Sequence, residues 1–365
     1  MENVLYNFTG VLGVESPQAG VIPGPTGTLV GTTEYGGTAN LRCHFGCGTL
    51  FELAPPAQPG DNWTEQILYY YPQANYYPGE LLAGPNGVYY GATLFAGEKN
   101  CYAGEGCGSI YELLPPAEAG GAWSVDELHI FHFTEGAFPY QYSRLVPGPN
   151  GLLYGTAYGG GDLDCNPVGC GVVFSLTPPV APSTAWTFQD LYKFKNPGDG
   201  NVPYGGLTLG PDGILYGTTY YGGVDNCING LGCGTIFSLA PPSSGTGQWI
   251  KTILHSFMGG NDGANPYSAL LIGTGGVLYG VTPAGGGTGC NGQGCGVLFE
   301  LIPPAQPGGS WTETILHAFT GGSDGEDPAF TPAMDSNGVL YGYSYGGTGT
   351  SCDGFGCGVV YQCVP

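Results

Sequence analysis

The sequence predicts an all-β protein, a six-bladed β-propeller of four-stranded antiparallel blades. Three observations predict it. One segment recurs six times along the 365 residues. Each copy holds four strand-sized runs and no sustained helical period. The two ends of the chain start and stop part-way through a copy. A long tandem period with four short strands per unit is the pattern of propeller blades, because one such sheet cannot bury its own faces and must stack on its neighbours.

The cysteines set the period. They fall as Cys43/Cys47, Cys101/Cys107, Cys165/Cys170, Cys227/Cys233, Cys290/Cys295 and Cys352/Cys357, with Cys363 left over. Successive pairs are spaced by 60, 63, 63, 62 and 62 residues, counted on the second member. Superposed, the copies give four strands in order. The first is an apolar run after a proline, as in 267–272. A tight turn such as Pro149-Asn150-Gly151 or Pro211-Asp212-Gly213 leads into the second, as in 277–282, which carries G-x-L-Y-G-T. An aromatic-Gly-Gly and the cysteine loop, ending in G-C-G, precede the third, as in 297–301. Pro-Pro and a variable loop precede the fourth, as in 311–319, with the pattern W-T-x-x-I-L-H-x-F. Gly and Pro interrupt nearly every window, which suits turns and disfavours helices.

The blades are therefore expected at 17–71, 78–133, 139–196, 203–259 and 266–321, with a sixth at 328–365 completed by 3–9. The opening run 4–8 matches the fourth strand, and the chain stops after a third strand. The N-terminal strand is expected to close the last blade and cover its open edge. On this reading the whole chain, 1–365, is one domain.

The repeated G-x-L-Y-G-T-T-x-x-G-G core with the following G-x-V-F-x-L strand resembles the GloVer-type tandem repeat of secreted and surface proteins of environmental bacteria. The resemblance covers essentially the whole chain. It implies a propeller and export, and it brings no catalytic residues.

Composition narrows the function. There are 71 glycines and 31 prolines, but apolar residues make up 42% and charged residues 9%. Disordered chains show the opposite balance, few aromatics and many charges. The net charge is −22, with six lysines and arginines in total. Nucleic-acid binding needs many cationic phosphate contacts and is excluded on that count. No apolar run reaches the ~20 residues of a membrane span, so membrane insertion is not expected. Six close cysteine pairs read as six local disulfides, Cys43-Cys47, Cys101-Cys107, Cys165-Cys170, Cys227-Cys233, Cys290-Cys295 and Cys352-Cys357, formed in an oxidising, extracellular or cell-surface setting. Cys363 replaces an apolar residue at the third-strand position of Leu301 and is expected to be a buried free thiol.

Candidate sites follow from strand order. In an up-and-down blade the cysteine loop and the crossover to the next blade share one face, which is the expected binding face. The crossovers carry Glu135, Asp199, Asp262 and Asp324, each four residues before a proline, and Asp327 follows closely. Such oxygen-rich Gly-Asp loops suit calcium, or serve only as turns; no cofactor is otherwise required. Tyr35, Phe95, Tyr158, Tyr221 and Tyr345 precede the Gly-Gly step, with Ala284 in the fifth copy, and could form an aromatic rim that stacks on sugar rings or packs within the fold. Arg42 and His44 are the cationic additions to that face. His129, His255 and His317 share a slot with Tyr6, Tyr69 and Tyr192, which marks a packing position rather than a catalytic base.

Two arginines cannot build a sialidase-like cluster. The copies also differ little, so no single blade is expected to carry a unique acid–base pair on the channel. The sequence thus points to a non-catalytic binding propeller for a neutral glycan or a surface protein. A self-assembling structural subunit and a calcium-dependent hydrolase or lyase are the alternatives.

Overall fold

The computed structural model describes all residues except 1–3, 9–13, 16, 18, 38–45, 59–60, 72–77, 98–100, 102–105, 119, 141–143, 166, 196, 225–226, 228–229, 244, 246, 307 and 348–357, and at 14, 15 and 197 the backbone alone. The protein is an all-β, six-bladed propeller with almost no helix. The chain divides into two compact units, Met1–Gly155 with Ser175–Gln189, and Thr156–Phe174 with Asp190–Pro365.

In the first unit, one antiparallel sheet runs Ile22–Pro23, Leu29–Thr33, Thr49–Ala54, Thr64–Tyr70. A second runs Leu82–Ala83, Tyr89–Thr93, Ser109–Leu114, Ser124–Ile130. The third sheet, Val146–Pro147, Leu153–Ala157, Val172–Thr177, Thr187–Lys193, keeps the same order, and the division between units passes through it. The second unit holds the fourth sheet, Thr208–Leu209, Leu215–Thr219, Thr235–Ala240, Ile250–Ser256, and the fifth, Leu271–Ile272, Leu278–Thr282, Val297–Ile302, Thr312–Ala318. The sixth is Glu326–Met334, Leu340–Tyr345, Val359–Cys363. In the first five sheets the first strands are shorter than the sequence suggests, because only two residues after the proline pair with the second strand before the tight turn begins.

The recurring G-T-T has a distinct job at each residue. Gly217 and Gly280 lie across from Phe237 and Phe299 of the third strand, whose ring tips would stand 2.7 and 2.6 Å from an added Cβ. The glycine makes room for the blade's central aromatic. The first threonine hydroxyl donates to a carbonyl of the following blade: Thr32 to Gly79 (2.9 Å), Thr156 to Gly205 (3.2 Å), Thr218 to Ser268 (3.0 Å). The second is buried and pairs with a third-strand hydroxyl: Thr33 with Thr49 (2.9 Å), Thr93 with Ser109 (3.0 Å), Thr219 with Thr235 (2.8 Å). Each buried hydroxyl is thus satisfied, as a tightly packed sheet requires. The leucines of L-Y-G and the third-strand aromatics fill the core, with Leu215, Leu278, Leu340 and Phe299 fully buried.

Residues 4–8 form no strand, and the sixth sheet has three strands among the described residues. The expected closing strand is therefore not a hydrogen-bonded fourth strand here. Its side chains nevertheless take the fourth-strand role against the first sheet. Phe8 meets Phe51 edge-on at 5.2 Å, as Phe257 meets Phe299 at 5.5 Å and Phe319 meets Tyr361 at 5.1 Å. Cys363 is a free thiol as expected, but it is half-buried rather than buried, since it lies on the last strand of the three-stranded sheet.

Candidate functional site

Four of the expected disulfides are formed: Cys101–Cys107, Cys165–Cys170, Cys227–Cys233 and Cys290–Cys295. Cys47 is disulfide-bonded; Cys43, Cys352 and Cys357 lie outside the described residues, as do Arg42 and His44. The G-C-G motif is explained by close backbone approach. Gly232 has a φ of 82° and an added Cβ would lie 2.3 Å from the carbonyl oxygen of Gly222. Only glycine accepts both conditions.

The crossover is tied to each disulfide loop by one repeated hydrogen bond. The residue before the crossover proline donates its N–H to the carbonyl of the second cysteine: Phe138 to Cys107 (2.7 Å), Val202 to Cys170 (2.9 Å), Asn265 to Cys233 (2.7 Å), Asp327 to Cys295 (2.9 Å). All four adopt positive φ, between 50° and 61°. For Val202 and Phe138 that region is costly, so this contact holds the crossover in place. Cysteine loops and crossovers therefore meet, blade by blade, as strand order implied.

The aromatic residues split into two positions. Gly48, Gly108, Gly171 and Gly234 donate to Gly36, Ala96, Gly160 and Gly222. That register makes Tyr35, Phe95 and Tyr221 equivalent. Tyr158 falls one residue earlier, level with Tyr220, which corrects the alignment by the Gly-Gly dipeptide. Tyr345 is exposed at the end of the central strand of the sixth sheet, 6.2 Å from Tyr343. Phe95 packs edge-on against Phe138 at 5.6 Å. In the second unit the aromatics form a continuous cluster. Tyr158 leans on Tyr204 at 4.8 Å, Tyr204 meets Tyr220 at 5.3 Å, and Tyr220 meets Tyr221 at 4.7 Å. All four rings are partly exposed. Asp327 accepts from the Tyr267 hydroxyl at 3.0 Å, and its carboxyl sits high, raised by burial.

The crossover acids are not brought together. Each instead meets the fourth-strand His or Tyr of its own blade. His129 Nε2 is 3.1 Å from Glu135, Tyr192 donates to both oxygens of Asp199 at 2.9 Å, His255 Nε2 is 3.4 Å from Asp262, and His317 Nε2 is 3.1 Å from Asp324. The acids also cap backbone N–H groups, Met258 to Asp262 at 2.6 Å and Thr320 to Asp324 at 3.1 Å. The slot does pack, as its His/Tyr interchange indicated: His129, His255 and His317 lie edge-on to Phe131, Phe257 and Phe319 at 4.9, 4.8 and 4.8 Å. A bulge in the fourth strands of the first, second, fourth and fifth sheets precedes this residue and re-aims it.

A third residue completes each boundary, and sequence reasoning missed it. It stands four positions before the His/Tyr slot on the next blade's fourth strand. Glu65 accepts from Tyr6 at 3.0 Å, and Phe188 stacks on His129 at 4.0 Å. Lys251 Nζ lies 3.0 Å from Asp199 Oδ1, bonds the Asp199 carbonyl, and sits 5.3 to 5.7 Å above the rings of Tyr192, Phe194 and Phe237. Its side chain is 3% exposed. Burial pushes the Lys251 ammonium down from its usual range, against the pull of Asp199. Glu313 occupies the same register at the next boundary, with Oε2 3.5 Å from His255 Nε2.

That boundary breaks the expected uniformity. His255, Asp262 and Glu313 present one ligand atom each, all within 4.8 Å of one another. Burial and the nearby Asp262 push Glu313 up to about 10. Burial would raise Asp262 as well, but hydrogen bonds from His255, Glu313 and the Met258 N–H outweigh it and hold the group at about 2. Two carboxyl groups thus converge on one imidazole, Asp262 from the crossover and Glu313 from the next blade's fourth strand. The signal available in sequence was the fixed spacing of seven residues from Tyr192, His255 and His317 to Asp199, Asp262 and Asp324. Cys290, Cys295 and Glu326 also cluster, but the two sulfurs are joined and are not thiolate donors.

The Gloeobacter/Verrucomicrobia repeat matches residues 2–228 and 77–355. The chain belongs to that repeat family. No curated protein matches it. Among solved structures, a protein described as an oxidoreductase (glucose dehydrogenase) from Thermus thermophilus is similar at 16% identity and TM-score 0.50, covering 96% of this chain and 97% of the other. The PQQ-bound aldose sugar dehydrogenase from Streptomyces coelicolor gives 12% identity and TM-score 0.49 over 96% and 94%. Virginiamycin B lyase from Staphylococcus aureus gives 13% and 0.49 over 98% and 86%. Likeness at this identity shows the fold alone. No helix among the described residues is long and apolar enough to cross a membrane, and the four disulfides suit an oxidising, extracellular environment.

Proposed function

We propose that this repeat-family propeller is a secreted, non-catalytic binding protein that recognises neutral polysaccharide through the loops beside its disulfides. One observation carries the reading: the partly exposed tyrosine cluster Tyr158, Tyr204, Tyr220 and Tyr221, with the Asp327 carboxyl hydrogen-bonded to Tyr267 nearby. Tyrosine rings offer an apolar face to a sugar ring and a hydroxyl to its polar edge, and a carboxylate accepts from sugar hydroxyls. The crossover and disulfide loop are tied together at that position, which lowers the ordering cost of binding. The scarcity of cations fits a neutral ligand rather than an anionic one.

The test is affinity electrophoresis of the oxidised protein against neutral and acidic polysaccharides, with calcium and with EDTA. Retardation on a neutral polymer, weakened about tenfold or more by Y204A and by Y220A, is the expected result. Retardation only with calcium would add an ion to the recognising face. Equal behaviour of wild type and both variants contradicts the proposal. Large assemblies on size exclusion without glycan binding would replace it with a structural subunit.

A further inference from the structure

We propose that His255, Asp262 and Glu313 form a binding site for a divalent transition ion of the zinc class, set between the fourth and fifth blades. The spacing of the donor atoms fits such an ion. His255 Nε2 lies 3.4 Å from Asp262 Oδ2 and 3.5 Å from Glu313 Oε2. A tetrahedral ion bonded at about 2.1 Å to nitrogen and oxygen holds its ligands about 3.4 Å apart. The imidazole nitrogen already stands at that spacing from both carboxyl oxygens, all three donor atoms lie within 4.8 Å of one another, and water would complete the set.

Glu313 is the residue that calls for a cation. Its side chain is only 9% exposed, and its Oε1 is buried without a hydrogen-bond partner. A buried carboxyl oxygen without a partner is expensive, and an ion bound by the Glu313 carboxyl offsets that cost.

The neighbouring copy of the repeat shows how that need is met elsewhere. At the preceding boundary the same register position carries Lys251, whose ammonium contacts Asp199. There the chain supplies its own cation. At the His255 boundary it supplies a second carboxyl group and replaces Tyr192 with an imidazole, a donor set that a cation from solution can occupy. His255 and Asp262 side chains are 17% and 16% exposed, which leaves the ion a way in.

The donor chemistry selects the ion. Calcium takes six to eight oxygen ligands and does not favour imidazole. One imidazole and two carboxylates suit zinc and its neighbours. The site is thus distinct in kind from an oxygen-only calcium loop.

The experiment is equilibrium dialysis of the oxidised protein against zinc at about physiological ionic strength, with calcium and magnesium in excess, followed by metal analysis. Wild type is expected to retain one zinc per chain. E313K, which copies Lys251, and H255Y, which copies Tyr192, are expected to lose it at least tenfold. H317Y and H129Y, which alter the same slot at other boundaries, should leave the stoichiometry unchanged. Cobalt added to wild type should give the intense visible bands of low coordination, with a pulsed-EPR signature of one imidazole nitrogen. This readout needs no variant to fold. Retention of zinc by folded E313K and H255Y, or a cobalt spectrum of the hydrated ion with no imidazole nitrogen, would overturn the proposal.

Discussion

The boundary at Tyr192, Asp199 and Lys251 and the boundary at His255, Asp262 and Glu313 are the same construction with opposite charge. Both place a fourth-strand aromatic or imidazole beside a crossover carboxylate seven residues on. Both receive a third side chain from the next blade at the same register. In the first it is an ammonium; in the second it is a carboxyl group. The backbone accepts either because the crossover is fixed by other contacts, among them Val202 N–H to Cys170 and Asn265 N–H to Cys233. Repetition in this chain keeps the frame and leaves the chemistry of each boundary open.

The comparison is broken most severely by K251M. It strands Asp199 beside a buried apolar stem, and removing one partner of a buried pair typically costs about 3–5 kcal/mol. Urea denaturation at pH 7 measures it; a loss below about 1 kcal/mol would mean that Lys251 only packs. Next comes the frame itself. C227S/C233S removes a cross-link of sequence separation 6 and is expected to cost about 2 kcal/mol. Since the crossover of the His255 boundary hangs on the Cys233 carbonyl, hydrogen exchange at Asn265 should accelerate with it.

A smaller effect is expected from H255Y without metal. Its hydroxyl can donate to Asp262 as Tyr192 does to Asp199, so stability should move by about 1 kcal/mol or less. The smallest effect sharpens the comparison with a third boundary. Burial raises the Asp324 carboxyl, but hydrogen bonds from Thr320 and His317 outweigh it and hold the group low. A carboxylate whose folded pKa is depressed contributes stability above its unfolded value of 3.8, lost as pH falls through the lower folded value. D324N should therefore flatten the acid side of the stability profile below about pH 4. The side chain is a quarter exposed, so solvent screening keeps the change under about 1 kcal/mol.

The fold was legible in the sequence because its rules are local and repeated six times. Glycine opposite the central aromatic, threonine pairs and G-C-G each leave a residue-level mark. The disulfides were legible for the same reason. The short first strands were less so, since an apolar run does not say how much of it pairs. The boundary triads were only partly visible. His255 and Asp262 lie seven residues apart on one strand and the crossover that follows it, whereas Glu313 arrives from another blade, and a hidden bulge decides which side chains face it. The aromatic alignment slipped at Tyr158 because Gly-Gly recurs in more than one register, and only the hydrogen bond from Gly171 to Gly160 fixes it.

What separates the two boundaries is the charge carried at one register position. The most direct test is reciprocal exchange, with K251E and E313K compared by urea denaturation in EDTA at pH 7. K251E places a carboxylate against Asp199 and should destabilise by several kcal/mol, on the order of a broken buried pair. E313K places an ammonium against Asp262 and should stabilise the chain. Losses of similar size from both exchanges would contradict the account and reduce the position to a matter of packing.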